Sequence, residues 1–266
     1  MTKFPVTILG AWVALAAVSV FFALPSQHIA LNAMFSAPME AGYLLGSDEL
    51  GRSLAARLVD GARVSLLVAV VTVSISASLG TLLGVAAGYL GGWVDRIISS
   101  LIDIFLAFPG LLLAIALAGM LGPGIGNVIF ALSVMGWVGY ARLARNQVLS
   151  LKRREHVIAA VALGQPNGVI MRRHLLPLLM APLLVEASFG VASAVIAEAG
   201  LSFLGLGVQP PQASWGNMIR EGVRYLLVAP HLVLVPGLAL SMVVLSANLL
   251  GDALRDRLDV TSRSKQ

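Results

Sequence analysis

The 266-residue chain has no cysteine, which excludes disulfides, thiolate metal sites and thiol nucleophiles. Charge is scarce. Only 12% of the residues are Asp, Glu, Lys or Arg, against about 25% in an ordinary soluble domain. So little charge cannot coat a folded surface in water, and the apolar content is far too high for intrinsic disorder. Lysine occurs only at Lys3, Lys152 and Lys265, and none follows a glycine. The phosphate-binding pattern G-x-x-x-x-G-K is therefore absent, and with it that route to ATP. There is no H-E-x-x-H zinc pattern, and His28, His156, His174 and His231 are scattered. No G-x-S-x-G nucleophile elbow occurs; Gly200-Leu-Ser-Phe-Leu lacks the second glycine. No catalytic or metal-ligating set emerges.

Long apolar runs are what the chain does have. Apolar residues make up 58%, and mean hydropathy is +0.89. A helix crossing the ~30 Å hydrocarbon core needs about 20 mostly apolar residues. Six such spans are expected: Val6–Leu24, Leu66–Gly88, Ile98–Leu121, Val128–Leu149, Leu178–Ala199 and Leu232–Gly251. The fold class is all-α and polytopic. The first span is read as a retained helix, because Ala-Leu-Pro-Ser-Gln is a poor small-x-small cleavage site. With the N-terminus inside, 13 of the 18 basic residues fall on inner segments. The positive-inside rule then predicts cytoplasmic N- and C-termini. It also accounts for the net charge of +5 without nucleic acid.

Within this frame several residues stand out. Gly80, Gly84 and Gly88 form a flat strip on one helix face, suited to packing within the chain or against a subunit. Asp103, Glu186 and Glu198 are carboxylates in or near spans, where charge is expensive; pairing or capping competes with a transport role. Arg96 lies on the same face as Asp103 and is its expected partner. Asp48, Glu49, Arg52, Arg57 and Asp60 form a mixed-charge stretch, poor as core, that suits either a docking rim or a solvated helix. The stretch Ser202–Trp215 is rich in Gly, Pro and aromatics. It folds back at the outer face, with Trp215 as an interfacial anchor, or closes a pathway.

The segment from Leu151 to Pro177 is the most informative. Arg153–Leu163 reads as a helix stopped by Gly164 and Pro166. A second short helix fits Gly168–Leu175, ended by Pro177. Such a basic helix–turn–helix suits a partner's groove or an anionic lipid surface.

This segment resembles the E-A-A-x(3)-G-x(9)-I-x-L-P loop of binding-protein-dependent ABC transporter permeases. Gly164 sets the register, with Ala159 and Ala160 as the alanine pair and Leu176-Pro177 as the terminal Leu-Pro. Ile158 occupies the family's Glu position and His174 its Ile position; Glu155 lies one turn upstream. Further segments are similar to the dipeptide/oligopeptide/nickel group. These are Leu45–Leu66, Gly91-Gly-Trp-Val-Asp-Arg96, Asp103-Ile-Phe-Leu-Ala-Phe-Pro109, Glu198–Gly216 and Asn248–Asp259. The subtype resembled is the "C" permease.

The resemblance implies a type I ABC importer permease in the bacterial inner membrane. It would form half of a pathway for peptides or a nickel/metal-chelate solute. Its partners would be a homologous "B" permease, two ABC ATPases that bind ATP and Mg, an extracytoplasmic substrate-binding protein, and lipid. The chain itself would bind no cofactor or metal and catalyse no reaction. Glu155, Ile158, Ala159, Ala160, Gly164, Leu176 and Pro177 would make the ATPase-coupling loop, with both alanines facing the ATPase. Glu198, Ser202, Phe203, Gly205, Gly207 and Trp215 would form a gate or outer re-entrant segment. Asp48, Glu49 and Arg52 would dock the binding protein. The expected organisation is 1–24 for the first helix, 25–63 for an extracytoplasmic segment, 64–259 for the core with coupling loop 150–177, and 260–266 for a tail. A self-contained secondary transporter is the alternative; no internal inverted repeat supports it.

Overall fold

A computed structural model describes residues 3–21, 26–40 and 42–263. It is helical wherever the chain is long and apolar, because a backbone in hydrocarbon must satisfy its own hydrogen bonds. The helices are α1 (Lys3–Phe21), α2 (Leu54–Leu90), α3 (Gly92–Leu106), α4 (Gly110–Leu121) and α5 (Ile125–Leu151). They continue with α6 (Glu155–Ala162), a single turn α7 (Asn167–Val169), α8 (Leu176–Phe203), α9 (Trp215–Val223) and α10 (His231–Arg263). A π-helical stretch, Ile170–Leu175, joins α7 to α8.

Four of the six expected spans are helices long and apolar enough to cross a membrane: α2, α5, the continuous run Asn167–Phe203 and α10. The third is not straight. Helices α3 and α4 meet at an 86° bend. Pro109 causes the break: it has no N–H to donate, its ring crowds the preceding turn, and its own backbone is extended. The first expected span contributes a shorter apolar helix, Phe4–Ala17; its last residues, 22–24, lie outside the described residues.

Helix α2 begins twelve residues before the expected Leu66. Ser53 caps it by accepting the Ala56 N–H, and Gly91, at φ +66°, ends it. Its 37 residues extend roughly 55 Å at 1.5 Å per residue, well beyond the hydrocarbon core. The boundary expected at 63/64 therefore falls inside a helix. Helix α10 likewise continues into the expected tail, through Arg263.

The centre of the fold is the α2–α5 pair. A Cβ on Gly80 would lie 2.3 Å from the Trp137 carbonyl oxygen, and one on Gly84 2.3 Å from that of Ala141. At Gly88 the Arg145 carbonyl is 2.8 Å away. The glycine strip thus packs within the chain, backbone against backbone, as small residues permit in a membrane. Helix α3 lays Ile98 and Ile102 against this pair, around Ala87, Trp137, Val138 and Ala141. Asp95 of α3 accepts hydrogen bonds from Arg145 Nε at 2.5 Å and Nη2 at 2.8 Å. On the other side, α1, α2, α8, α9 and α10 share a core that includes Trp12, Ala62, Val195, Trp215 and Leu232.

Gly84→Leu is expected to wedge α2 from α5 and destabilise the protein by about 1–3 kcal/mol or more, as overpacking does. Gly119→Ala, where nothing lies within 4 Å of the added methyl, is expected to leave thermal stability in detergent unchanged. Equal melting temperatures for the two variants would contradict the backbone contact.

Candidate functional site

The expected coupling loop is a folded platform at one end of the bundle. Helix α6 is shorter than expected at both ends. Val157 and Ala160 are fully or nearly buried, in a cluster with Ile170, Leu175, Leu151 and Val148. This corrects the expectation that Ala160 faces a partner: spacing of three puts it on the same side as Val157, against the π-helical stretch. Ala159 and Glu155 are exposed. So are Ile158 at 55%, Val161 at 53% and Leu163 at 81%.

Gly164 adopts φ +74°. Its amide donates to the Val161 carbonyl, and the Gln165 amide donates to that of Ala160. This is the left-handed helix stop expected of a glycine at that position. Nothing lies within 4 Å of the place where its Cβ would stand.

The second arm differs from expectation. Pro177 does not end a helix; it sits in the first turn of α8, where its missing N–H costs nothing. Leu176 is half-buried and Pro177 exposed. The platform is tied to the bundle by Lys152 Nζ, donating to the Gly88 carbonyl at 2.9 Å, and Tyr89 Oη, donating to Asn167 Oδ1 at 3.2 Å. Gln165 and His174 are joined at 3.0 Å across the turn.

At the opposite end, the chain after α8 folds back over the bundle. Gly205 takes φ +83°. The Leu206 carbonyl accepts from the Gly124 amide, and Gly207 leaves no room for a Cβ beside Ser202. Phe203 remains exposed. Trp215 is not an interfacial anchor: it is 2% exposed, its Nε1 donates to the Leu58 carbonyl at 2.9 Å, and its ring lies 6.2 Å from that of Trp12. The fold-back supplies the protein walls that enclose it. Glu198 is 1% exposed and accepts hydrogen bonds from Ser202 Oγ at 2.6 Å and Ser65 Oγ at 3.1 Å. Its carboxylate locks α8 to α2.

Three residues of the mixed-charge stretch are core, and Glu49 and Asp60 are half-buried. Asp48, Arg52 and Arg57 are 2%, 5% and 2% exposed. Asp48 Oδ2 accepts from Arg52 Nε at 2.7 Å and Arg57 Nη1 at 2.5 Å. Arg57 Nη2 reaches Glu221 of α9 at 2.7 Å, and Arg52 lies 3.6 Å from the same carboxylate. Asp48 Oδ1 also takes the Leu50 and Arg52 amides. The expected exposed rim of Asp48 and Arg52 is thus overturned, because Glu221, far away in sequence, completes their pairing. Glu49 is half-buried at the edge of this network and its Oε2 has no hydrogen-bond partner. Burial pushes its carboxyl above the ordinary range, with repulsion from Glu221 and Asp48 adding to the effect.

Asp103 is exposed on α3. Among the described residues it forms no ion pair with Arg96; Asp95 instead pairs with Arg145. Glu186, ten residues into α8, faces a cavity of about 320 Å³ between α2, α4, α5 and α8. Thr72, Ser76 and Tyr140 also line it, and none was legible as a site residue from sequence. The only trace was two hydroxyls four residues apart on α2.

Comparison with known proteins decides the family. Residues 80–263 match the family described as "Binding-protein-dependent transport system inner membrane component". The chain belongs to that family. It is 42% identical over 224 residues to the dipeptide transport system permease protein DppC of Alkalihalophilus pseudofirmus, covering 84% of this chain and 74% of that one. It is 44% identical over 214 residues to the glutathione transport system permease protein GsiD of Escherichia coli, covering 80% and 71%. The permease fold of the MetNI methionine ABC transporter, in an inward-facing conformation, superposes with a TM-score of 0.61 at 20% identity. That match covers 75% of this chain and 95% of the other. The chain is an ABC-importer permease subunit with a type I fold, a multi-pass inner-membrane protein of a transport family rather than a catalytic one.

Two outcomes follow for the charged core of this permease. Arg57→Met removes the better placed of the two arginines shared by buried Asp48 and half-buried Glu221, and is expected to cost about 3–5 kcal/mol in thermal unfolding. Glu49→Gln tests the raised carboxyl. Between its ordinary value of 4.5 and its raised folded value, the folded state binds the extra proton. Stability therefore falls as pH rises through that window. The variant is expected to be more stable than the parent at neutral pH, with the difference vanishing below about pH 4.5.

Proposed function

We propose that this permease forms half of the translocation pathway of an ATP-driven importer of peptides. A homologous sister permease supplies the other half, two ATPase subunits bind ATP and Mg below, and an extracytoplasmic binding protein delivers the solute. The α6 platform lies on the cytoplasmic side with both termini, in keeping with the inward bias of basic residues. The named relatives transport dipeptide and glutathione, which favours a peptide over a nickel chelate.

The observation that carries this reading is the exposed apolar face of α6. Ile158, Val161 and Leu163 stand free on a rigid, internally packed platform flanked by Arg153, Arg154, Arg172 and Arg173. An apolar ridge of this kind outside the membrane asks for a partner. An ATPase cleft that closes around it would move α5 and α8 together, because both leave the same cluster. ATP binding then biases one of two bundle arrangements over the other. Ala159, Glu155 and Gly164 belong to the docking face, whereas Ala160 acts from inside by holding α6 to the π-helical stretch. At the other end, the Asp48–Arg52–Arg57–Glu221 network shapes the surface offered to the binding protein. The fold-back from Ser202 to Trp215 braces that surface.

Ile158→Asp is expected to abolish co-purification with two ATPase copies, or peptide-stimulated ATP hydrolysis, while the permease keeps its melting temperature; Gly164→Trp is expected to do the same with a small loss of stability, because φ +74° strains any side chain. Unchanged stimulated hydrolysis in both would overturn the coupling role of α6.

A further inference from the structure

Two cavities of the bundle meet at one pair of side chains. The first, of about 320 Å³, is the one between α2, α4, α5 and α8; the second, of about 550 Å³, runs between α5, α8 and α10. Glu186 and Phe189 line both. Phe189 stands against Gly251, where a Cβ would lie 3.0 Å from its ring. Gly139 gives the Glu186 carboxylate space on the α5 side, with Oε1 3.2 Å from the position of a Cβ.

The acid here differs from the other buried acids. Asp48 and Glu198 are saturated by arginines or hydroxyls. Glu186 forms no ion pair or hydrogen bond among the described residues, although it lies some 15 Å along α8, about half of the hydrocarbon thickness. The hydroxyls of Thr72, Ser76 and Tyr140 face the first cavity, belong to residues 4%, 2% and 4% exposed, and have no hydrogen-bond partner among the described residues. Buried hydroxyls are normally satisfied. Three unpartnered hydroxyls and a carboxylate thus face one cavity. The second cavity carries charge of both signs: Glu186, Arg154 and Arg255 line it, with Gln147. Neither arginine forms an ion pair among the described residues.

We infer that the two cavities form one charge-sorting station for a zwitterionic peptide in transit, Glu186 and the hydroxyls of Thr72, Ser76 and Tyr140 taking its ammonium end, and Arg154 and Arg255 its carboxylate. The inference rests on the peptide-importer reading and adds the residues that meet the solute. A carboxylate and two guanidiniums in one cavity complement a zwitterion, whereas an apolar or purely cationic solute would leave the arginines unused. No covalent step is involved.

The absence of cysteine makes the test direct. Ser193→Cys, in the first cavity, and Gln147→Cys, in the second, are introduced separately into the complete transporter, with partner subunits free of accessible thiols. Each is treated in membranes with a cationic and an anionic methanethiosulfonate reagent. With Glu186 in place, the cationic reagent is expected to modify Ser193→Cys roughly tenfold faster than the anionic one, a modest electrostatic enrichment. Glu186→Gln removes that preference and Glu186→Asp keeps it. At Gln147→Cys the preference reverses in sign, and Arg154→Gln with Arg255→Gln removes it. Equal rates for both reagents at Ser193→Cys, no reaction at all, or a preference that survives Glu186→Gln would overturn the inference. The first comparison uses native Glu186, so it does not depend on how the variants fold. Binding-protein-dependent uptake of a labelled dipeptide by the parent complex is scored alongside. Uptake without charge sorting removes this inference alone; charge sorting without uptake removes the peptide as occupant together with the importer reading.

Discussion

Helices α2 and α5 touch along their backbones, and most other contacts of the bundle are arranged around that line. Gly80, Gly84 and Gly88 bring the axes close enough for carbonyl oxygens of α5 to take the place of side chains. Hydrocarbon surroundings supply no hydrophobic drive between helices, so close van der Waals contact has to do that part. The consequences run to both ends. Helix α3 finds its seat across the pair, held by the Asp95–Arg145 ion pair. Lys152 reaches the Gly88 carbonyl and so hangs the α6 platform from the same seam. Gly136, opposite Ser76, and Gly190, opposite Tyr140, continue the close approach on the side where the cavity opens.

The charged residues divide by how they are satisfied. Asp48, Arg52, Arg57 and Glu221 neutralise one another in a buried network that fastens the segment before α2 to α9. Glu198 is held by serines from two elements. These groups fix architecture, since a buried charge or carboxyl held by partners from other segments is committed to the fold. Glu186 is the exception inside the bundle, and the exposed ridge on α6 is the exception outside it. Both are features that the isolated chain leaves unfilled, as a subunit of a larger machine must.

Much of this was legible in the sequence. The four long spans, the glycine strip and the glycine-stopped turn after α6 follow from apolar length, residue size and backbone freedom, which are local quantities. The break at Pro109 was visible only as a proline within an apolar span, which does not decide the matter, since prolines also lie in α8 and α10 without breaking them. What differs at Pro109 is the amphipathic α3 before it, which has a seat across the α2–α5 pair. Ala160 was placed outward with Ala159 by motif register alone, whereas its three-residue spacing from Val157 sends it inward. Thr72, Ser76 and Tyr140 carried no signal, because a hydroxyl in an apolar span is common and becomes notable only when its partner is missing.

By itself the sequence determined that the protein lives in a membrane, that its 266 residues hold no G-x-x-x-x-G-K pattern, and that the segment from Leu151 to Pro177 is its most distinctive element. Those conclusions rest on composition, spacing and turn chemistry, none of which needs a third dimension. The tertiary structure alone decided which charges are spent on the fold and which are free. Pairing across 164 residues, as between Arg57 and Glu221, leaves no trace in local pattern. An acid in an apolar run looks the same in sequence whether serines surround it, as at Glu198, or an open cavity does, as at Glu186.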